Sequence, residues 1–215
     1  MRMIKDNKGK MILGSVIILL PIFVGVALWD KLPEQVATHW GANGEANGWS
    51  SREFAVFGLP IFLLALHWIC MLATAKDPRN KGQNVKIFEI MFWLCPVISL
   101  FGNGAVYAGA LNWEVDMIKW VYILLGALFA VIGNYMPKCK QSYTIGIRVK
   151  WALENEANWN ATHRLAGKIW FAGGILLALC VFLPGNNLMW VPVCIAAIIA
   201  VVPVVYSYAY YRKHG

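Results

Sequence analysis

Five long stretches of this 215-residue chain contain no charged side chain, and they determine the elements that the sequence predicts. These stretches are residues 11–29, 54–75, 90–113, 120–137 and 169–211. A helix needs about 20 apolar residues to cross a hydrocarbon core of about 30 Å, so each of the first four predicts one transmembrane helix. The last is long enough for two and is interrupted by Pro184-Gly185-Asn186-Asn187. The apolar residues do not alternate with polar ones, which argues against the strands of a transmembrane β-barrel.

We therefore predict an all-α integral membrane protein, with a single polytopic membrane domain over residues 1–215. Its six predicted transmembrane helices cover residues 11–29, 54–74, 88–111, 119–136, 165–183 and 188–210. Two long polar loops remain between them, 30–53 and 137–166. The first is rich in Gly, Asn and Ser, which favours turns.

The second long loop predicts an amphipathic helix over residues 151–166 that continues into the fifth span. At helical spacing, one face of this helix carries Trp151, Asn155, Trp159 and His163. We expect this face to lie against lipid headgroups. The preceding segment, Tyr143–Val149, is too short and isolated to predict a strand.

Composition supports a membrane protein. Hydrophobic residues make up 59% of the chain and charged residues 14%, against about a quarter charged in an average globular domain. The chain has too few charges to cover a soluble surface. The net charge of +8 does not predict direct nucleic-acid binding, because the distribution of the basic residues among the loops accounts for most of it.

The distribution of Lys and Arg predicts the orientation in the membrane. If the loops alternate between the two sides, one side holds only three of the 19 basic residues, Lys31, Arg52 and Lys119. An excess of Lys and Arg marks cytoplasmic loops. Both termini and loop 137–166 are therefore predicted to be cytoplasmic, and loop 30–53 extracellular. The basic loops are expected to contact anionic lipid headgroups.

Two ionisable residues fall within the predicted spans, His67 in the second and Glu89 at the start of the third. Intramembrane ionisable groups are rare and often functional. Because these spans are neighbours in sequence, the pair is a candidate for a proton relay or a cation site. The alternatives are a neutral His67 bonded to a backbone carbonyl and a Glu89 that reaches the interface near Lys86.

No cofactor, metal or catalytic site is predicted. The topology separates the four histidines, so they cannot converge on one metal ion. The sequence contains no H-E-x-x-H, G-x-S-x-G or P-loop motif, and the spans contain no Asp. Small residues predict close helix contacts in the third span, at Gly102, Gly104 and Gly109, and in the fifth, at Gly173 and Gly174.

The two long loops carry motifs that resemble the SdpI/YfhL family of bacterial membrane proteins. The first is LPEQVATHWGANGEANGW, residues 32–49, with matching positions Leu32, Pro33, His39, Trp40, Gly44, Asn47 and Gly48. The second lies within residues 133–168, with matching positions Gly133, Asn134, Pro137, Gly146, Arg148, Trp151, Leu153, Trp159, His163 and Arg164. The chain departs from the family pattern at Val149-Lys150, where Thr-Pro is usual.

The resemblance implies a non-enzymatic immunity protein of the bacterial cytoplasmic membrane, which protects against a secreted toxic peptide. It also implies signalling, in which a cytoplasmic repressor is held at the membrane. The implied toxin- or partner-binding residues are His39, Trp40, Asn134, Arg148, Trp151, Trp159, His163 and Arg164. For Arg148 and Asn134 the alternative role is structural, to pin the cytoplasmic loop under the helices.

Two other functions remain open from the residues. One is a small ion-coupled transporter or channel that uses His67 and Glu89. The other is a sensor or assembly partner of a larger membrane complex. The sequence does not predict an oligomeric state.

Overall fold

A computed structural model describes residues 2–41, 44–113, 115–182 and 190–214. In these residues six helices are long and apolar enough to cross a membrane, which confirms the predicted fold class. The predicted interruption at 184–187, and the predicted span ends at 183 and 188, lie outside the described residues.

The helices and strands follow one another along the chain with short connections. A short α1, Arg2–Asp6, precedes the first long helix. The six long helices are α2 (Lys8–Ala27), α3 (Leu59–Lys76), α4 (Val85–Ala110), α5 (Met117–Tyr135), α7 (Glu156–Leu179) and α8 (Trp190–His214), and a short α6 (Lys150–Glu154) lies before α7. A π-helical turn, Phe54–Gly58, leads directly into α3. Pro21, Pro96 and Pro203 lie inside long helices, as membrane helices tolerate.

The chain forms two compact units. The first unit comprises Met1–Ala75 and Glu89–Trp120, and the second comprises Lys76–Phe88 and Val121–Gly215.

A β-hairpin in the first unit was not predicted from the sequence. Strands β1 (Gln35–Trp40) and β2 (Ala46–Ser51) pair in antiparallel register, with Val36 opposite Ser50. Val36 is buried in a cluster with Leu32, Ala55, Val56, Val106 and Tyr107. Apolar and polar residues alternate only weakly in the two strands, so the sequence predicts the turn between them but not the strands themselves. Burial of one β1 side chain against the helices, rather than strand propensity, selects the hairpin.

Helix α7 packs closely against α5 in the second unit, through paired glycines. A Cβ on Gly126 would lie 2.7 Å from the Gly174 carbonyl oxygen, and a Cβ on Gly133 would lie 2.9 Å from that of Gly167. Small residues permit this approach of two backbones. The close packing predicted for Gly174 is confirmed, since a Cβ there would lie 2.6 Å from the Gly126 carbonyl oxygen. The packing predicted for Gly102 and Gly104 is not, because a Cβ at either position meets no atom within 4 Å among the described residues.

The predicted amphipathic helix over 151–166 is divided in the structure. Asn155 takes an extended conformation, with φ −131° and ψ 113°, and its side chain caps α7 by accepting a hydrogen bond from the Asn158 amide. Trp151 therefore belongs to α6 and Trp159 to α7. Trp159 and His163 are fully buried in the second unit rather than facing outward to headgroups.

Candidate functional site

An open groove of about 520 Å³ lies beside the hairpin in the first unit. Its walls come from the segment before β1, from both strands and from the end of α4: Asp30, Lys31, Leu32, Pro33, Gln35, Ala37, Trp49, Gly109, Ala110 and Asn112. Trp49 is 58% exposed, so a large apolar ring faces solvent here. The groove therefore combines an exposed apolar wall with one acidic and one basic side chain.

Arg52 fixes the chain at the edge of this groove. Its guanidinium donates hydrogen bonds to the carbonyls of Trp29, at 3.0 Å, and Leu32, at 3.2 Å. The same group stacks on the Trp29 ring, 4.5 Å from its centroid. Sequence reasoning missed Arg52. In the sequence, Arg52 is marked only as one of three basic residues on the predicted exterior side.

The two family-motif residues of β1 have different surroundings. His39 is exposed, and its Nδ1 lies 2.5 Å from the Asn47 side-chain oxygen on β2. Trp40 is partly buried against the cluster around Val36. Neither residue lines the groove, whereas Trp49, which is not among the matching motif positions, does.

In the second unit, the Asp77 carboxylate organises the loop from residue 139 to 149. It accepts hydrogen bonds from the Ser142 hydroxyl at 2.8 Å, the Tyr143 amide at 2.8 Å and the Thr144 amide at 3.1 Å. It also accepts from the Thr144 hydroxyl and the Arg79 amide. Burial by itself raises the pKa of Asp77, but these hydrogen bonds favour the charged form more strongly and lower the pKa below 3.8.

Gln83 holds the beginning of the same loop, at Lys140. Its side-chain oxygen accepts from the Lys140 amide at 3.0 Å, and its side-chain nitrogen donates to the Lys140 carbonyl at 3.1 Å. Beside it, burial raises the pKa of the Cys139 thiol to about 12, so this cysteine is an unreactive packing residue. Sequence reasoning missed Asp77 and Gln83, although Asp-Pro at 77–78 is a common turn signal.

Trp159 and His163 form the floor beneath this loop. Their rings stack at 4.0 Å between centroids. The Trp159 indole donates to the Cys139 carbonyl at 2.8 Å, and His163 Nε2 accepts from the Ile147 amide at 3.0 Å. His163 Nδ1 lies 2.9 Å from the Trp159 carbonyl and therefore carries the proton. The predicted residues Trp159 and His163 are thus brought together as structural supports of the loop.

The other predicted residues of this region have different surroundings, although Trp151 also packs against the cluster that contains Trp159. Arg148 is exposed and donates to the Tyr143 carbonyl at 3.0 Å. Trp151 packs edge-on against Tyr208 at 5.3 Å, whereas Arg164 bonds within its own helix. Asn134 is exposed on α5.

The two intramembrane residues also have separate surroundings within the first unit. Glu89 forms an ion pair with Lys10 of α2. His67 is 1% exposed, and neither ring nitrogen has a hydrogen-bond partner among the described residues. Within the same ranges, no three His, Cys, Asp or Glu side chains converge as metal ligands would.

Comparisons with known proteins match both ends of the chain. The SdpI/YfhL protein family matches residues 138–207, and a domain of unknown function matches residues 16–64. Immunity protein SdpI of Bacillus subtilis (strain 168) is 24% identical over 205 residues, covering 95% of this chain and 97% of that protein. The chain is thus similar to the SdpI/YfhL family over residues 138–207, and to this immunity protein over nearly its whole length. No solved structure matches it.

The SdpI/YfhL match contains most of the loop that Asp77 and Gln83 hold, together with α6, α7 and most of α8. The other match contains the hairpin. The six apolar helices and the similarity to this relative make the chain a multi-pass bacterial membrane protein, and the similarity points to an immunity protein rather than an enzyme.

Proposed function

We propose that this chain protects its own cell membrane against a secreted toxic peptide, and that the peptide is engaged at the groove beside the hairpin. The support is the immunity protein of B. subtilis, which aligns over nearly its whole length. The Lys and Arg distribution predicts that the hairpin faces the exterior, where a secreted peptide arrives.

The groove suits an amphipathic, cationic peptide. Trp49, Leu32 and Pro33 provide an apolar wall for its apolar side chains. The predicted exterior segments carry six acidic residues against three basic ones, which favours a cationic partner. β1 and β2 pair only with each other in the described part of the chain, so each has an edge that an extended peptide can join by backbone hydrogen bonds.

Survival of toxin-sensitive cells tests this proposal. Cells of a Gram-positive host that express the chain are challenged with a peptide toxin of the class that the B. subtilis immunity protein counters. Trp49→Ala removes the groove's exposed ring and should reduce protection at least about tenfold, the effect of losing one aromatic contact of about 1.4 kcal/mol.

Trp190→Ala is the matched control, because Trp190 is similarly exposed, at 68%, but does not line the groove. Protection that is unchanged in Trp49→Ala, at equal amounts of membrane-inserted protein, contradicts engagement at the groove. Absence of protection by the unmodified chain contradicts immunity against that toxin class.

We further propose that the loop held by Asp77 presents a cytoplasmic surface for a repressor. Its exposed residues are basic and aromatic, with Arg148 and Tyr143 adjacent to each other. Retention of the repressor in the membrane fraction should fall in Arg148→Ala. It should persist in Lys168→Ala, which removes an exposed basic side chain of α7 outside the loop. Equal retention in both variants contradicts this surface.

A further inference from the structure

A row of polar side chains crosses the first unit where α2 meets α4. From the end that holds Lys10, it runs through Glu89, His67, Ser99, Asn103 and Tyr107, and we call this row the polar seam. The Ser99 hydroxyl donates to the Ile18 carbonyl at 2.8 Å, and the Tyr107 hydroxyl donates to that of Pro21 at 2.9 Å. The two helices therefore run parallel, with polar groups at each level of their contact.

His67 is the least satisfied group of the seam. An imidazole ring carries at least one N–H in any protonation state, yet neither nitrogen of His67 has a partner in the described residues. Leaving one buried polar group unsatisfied costs about 1–3 kcal/mol. In proteins, a buried polar group without a protein partner is typically hydrogen-bonded to a buried water, and His67 is 1% exposed.

Gly14 provides the space next to the ring. A Cβ built on Gly14 would lie 3.6 Å from His67 Nε2, 3.5 Å from the Pro96 ring and 3.7 Å from the Phe92 carbonyl. A polar nitrogen and a carbonyl oxygen thus face the same small space left by the missing side chain. These two groups supply the donor or acceptor partners that a bound water requires.

A second member of the seam supports hydration. Asn103 is 2% exposed and donates from its side-chain nitrogen to the Ser99 carbonyl at 2.8 Å. Its side-chain oxygen has no partner among the described residues. Two orphaned polar groups on one seam favour a polar path over an isolated packing defect.

The Lys10–Glu89 pair connects the seam to solvent. Lys10 and Gly14 are four residues apart on α2, so Lys10 lies one helical turn, about 6 Å along the helix axis, from the space next to His67. The side chains of Lys10 and Glu89 are 39% and 28% exposed, so protons reach this end. Towards the other end, the Ser99 and Tyr107 hydroxyls are held directly by α2 carbonyls.

We propose that His67 is a proton-binding residue in a hydrated site between α2, α3 and α4, and that it exchanges protons through Glu89. A proton from solvent passes to the Glu89 carboxylate and through water to a ring nitrogen of His67, which becomes imidazolium. The other titratable side chains nearest along these helices are Lys10 on α2, Cys95 on α4 and Cys70 on α3. Binding needs no passage across the membrane, and it is independent of the toxin.

Histidine-selective ¹⁵N NMR of the full chain in lipid nanodiscs tests the proposal. The His67 resonance is the one missing in His67→Gln, or, if that variant does not accumulate, the one left after substitution of His39, His163 and His214. It should change from the neutral to the charged form within about pH 5–8, the range in which histidine serves as a proton switch. A His67 signal that stays constant over this range overturns the proposal.

Gly14→Ala gives a test that keeps the fold. Its Cβ makes only ordinary van der Waals contacts but fills the space next to Nε2. Proton exchange at His67 should slow at least about tenfold in this variant and in Glu89→Gln. Gly9→Ala is the control on the same helix, because a Cβ there meets nothing within 4 Å. Equal exchange in Gly14→Ala and Gly9→Ala overturns the hydrated site, and unchanged exchange in Glu89→Gln overturns the access route.

Discussion

Replacing Asp77 by alanine is predicted to release the loop that carries much of the SdpI/YfhL motif. The carboxylate accepts five hydrogen bonds, four of them from Ser142, Tyr143 and Thr144 within that loop. Asp77 lies in the sequence between α3 and α4, so these bonds tie two segments more than 60 residues apart. No covalent link or regular helix holds the described loop in place instead.

The structure allows the cost to be estimated. After the substitution, the Thr144 amide keeps an acceptor, the Ser142 hydroxyl at 3.0 Å. Within the loop, the Tyr143 amide loses the only acceptor that the described residues provide, and the Ser142 and Thr144 hydroxyls each lose their bond to the carboxylate. The Arg79 bond lies outside the loop and does not affect its opening. An unsatisfied buried donor costs about 1–3 kcal/mol, and the half-exposed side chain of Tyr143 favours the lower part of that range. With about 0.5–1 kcal/mol for each hydroxyl bond, these losses together weaken the closed loop by about 2–3 kcal/mol, or about 30- to 150-fold in the opening equilibrium.

Amide hydrogen exchange of the purified protein in detergent or nanodiscs measures this opening. Exchange of the amides from Tyr143 to Ile145 should accelerate by the predicted factor in Asp77→Ala. Asp116→Ala is the control, because Asp116 is exposed and, among the described residues, interacts with Lys119 at the start of α5. Unchanged exchange from Tyr143 to Ile145 in Asp77→Ala would refute the argument that this carboxylate holds the loop.

Three further predictions concern the second unit. Hydrogen bonding lowers the pKa of Asp77, so the stability that the ionised carboxylate gives the loop is present at neutral pH and is lost as the pH falls through the lowered pKa. Amide protection of the loop should therefore hold at neutral pH and decline only in stronger acid. Gly146→Ala should lower the thermal unfolding midpoint, because φ is +96° and the new Cβ would lie 2.5 Å from His163 Nε2. The backbone strain and the steric clash together cost about 2–5 kcal/mol, and a midpoint equal to that of the wild type contradicts this. Gly126→Ala should destabilise by about 1–3 kcal/mol in denaturant unfolding, whereas Gly102→Ala, in open space, should not, and equal effects would refute the assignment of the close helix contact.

Much of the fold could be predicted from the sequence because membrane insertion depends on local composition. The six helices follow from continuous apolar stretches, since every backbone polar group in lipid must be satisfied within its own helix. The motifs in the two long loops also indicate the family, because their residue types and spacing are local features of the chain. Which of the motif residues are functional could not be predicted in the same way. Trp159 and His163 have the residue types of a binding site, but they are buried supports of a loop.

The sequence by itself determined that the chain is a six-helix membrane protein similar to the SdpI/YfhL family, because hydrophobic length and motif order are properties of contiguous residues. Only the tertiary structure decided which polar groups meet. Asp77 with the 142–144 loop, Arg52 with the Trp29 carbonyl and His67 with Gly14 join positions far apart in the chain. Tertiary contacts also selected Gly126 and Gly133, rather than Gly102, for close helix packing. The physical reason is that hydrogen bonding and close packing depend on a few ångströms of separation, which the pattern of residue types along a chain does not encode.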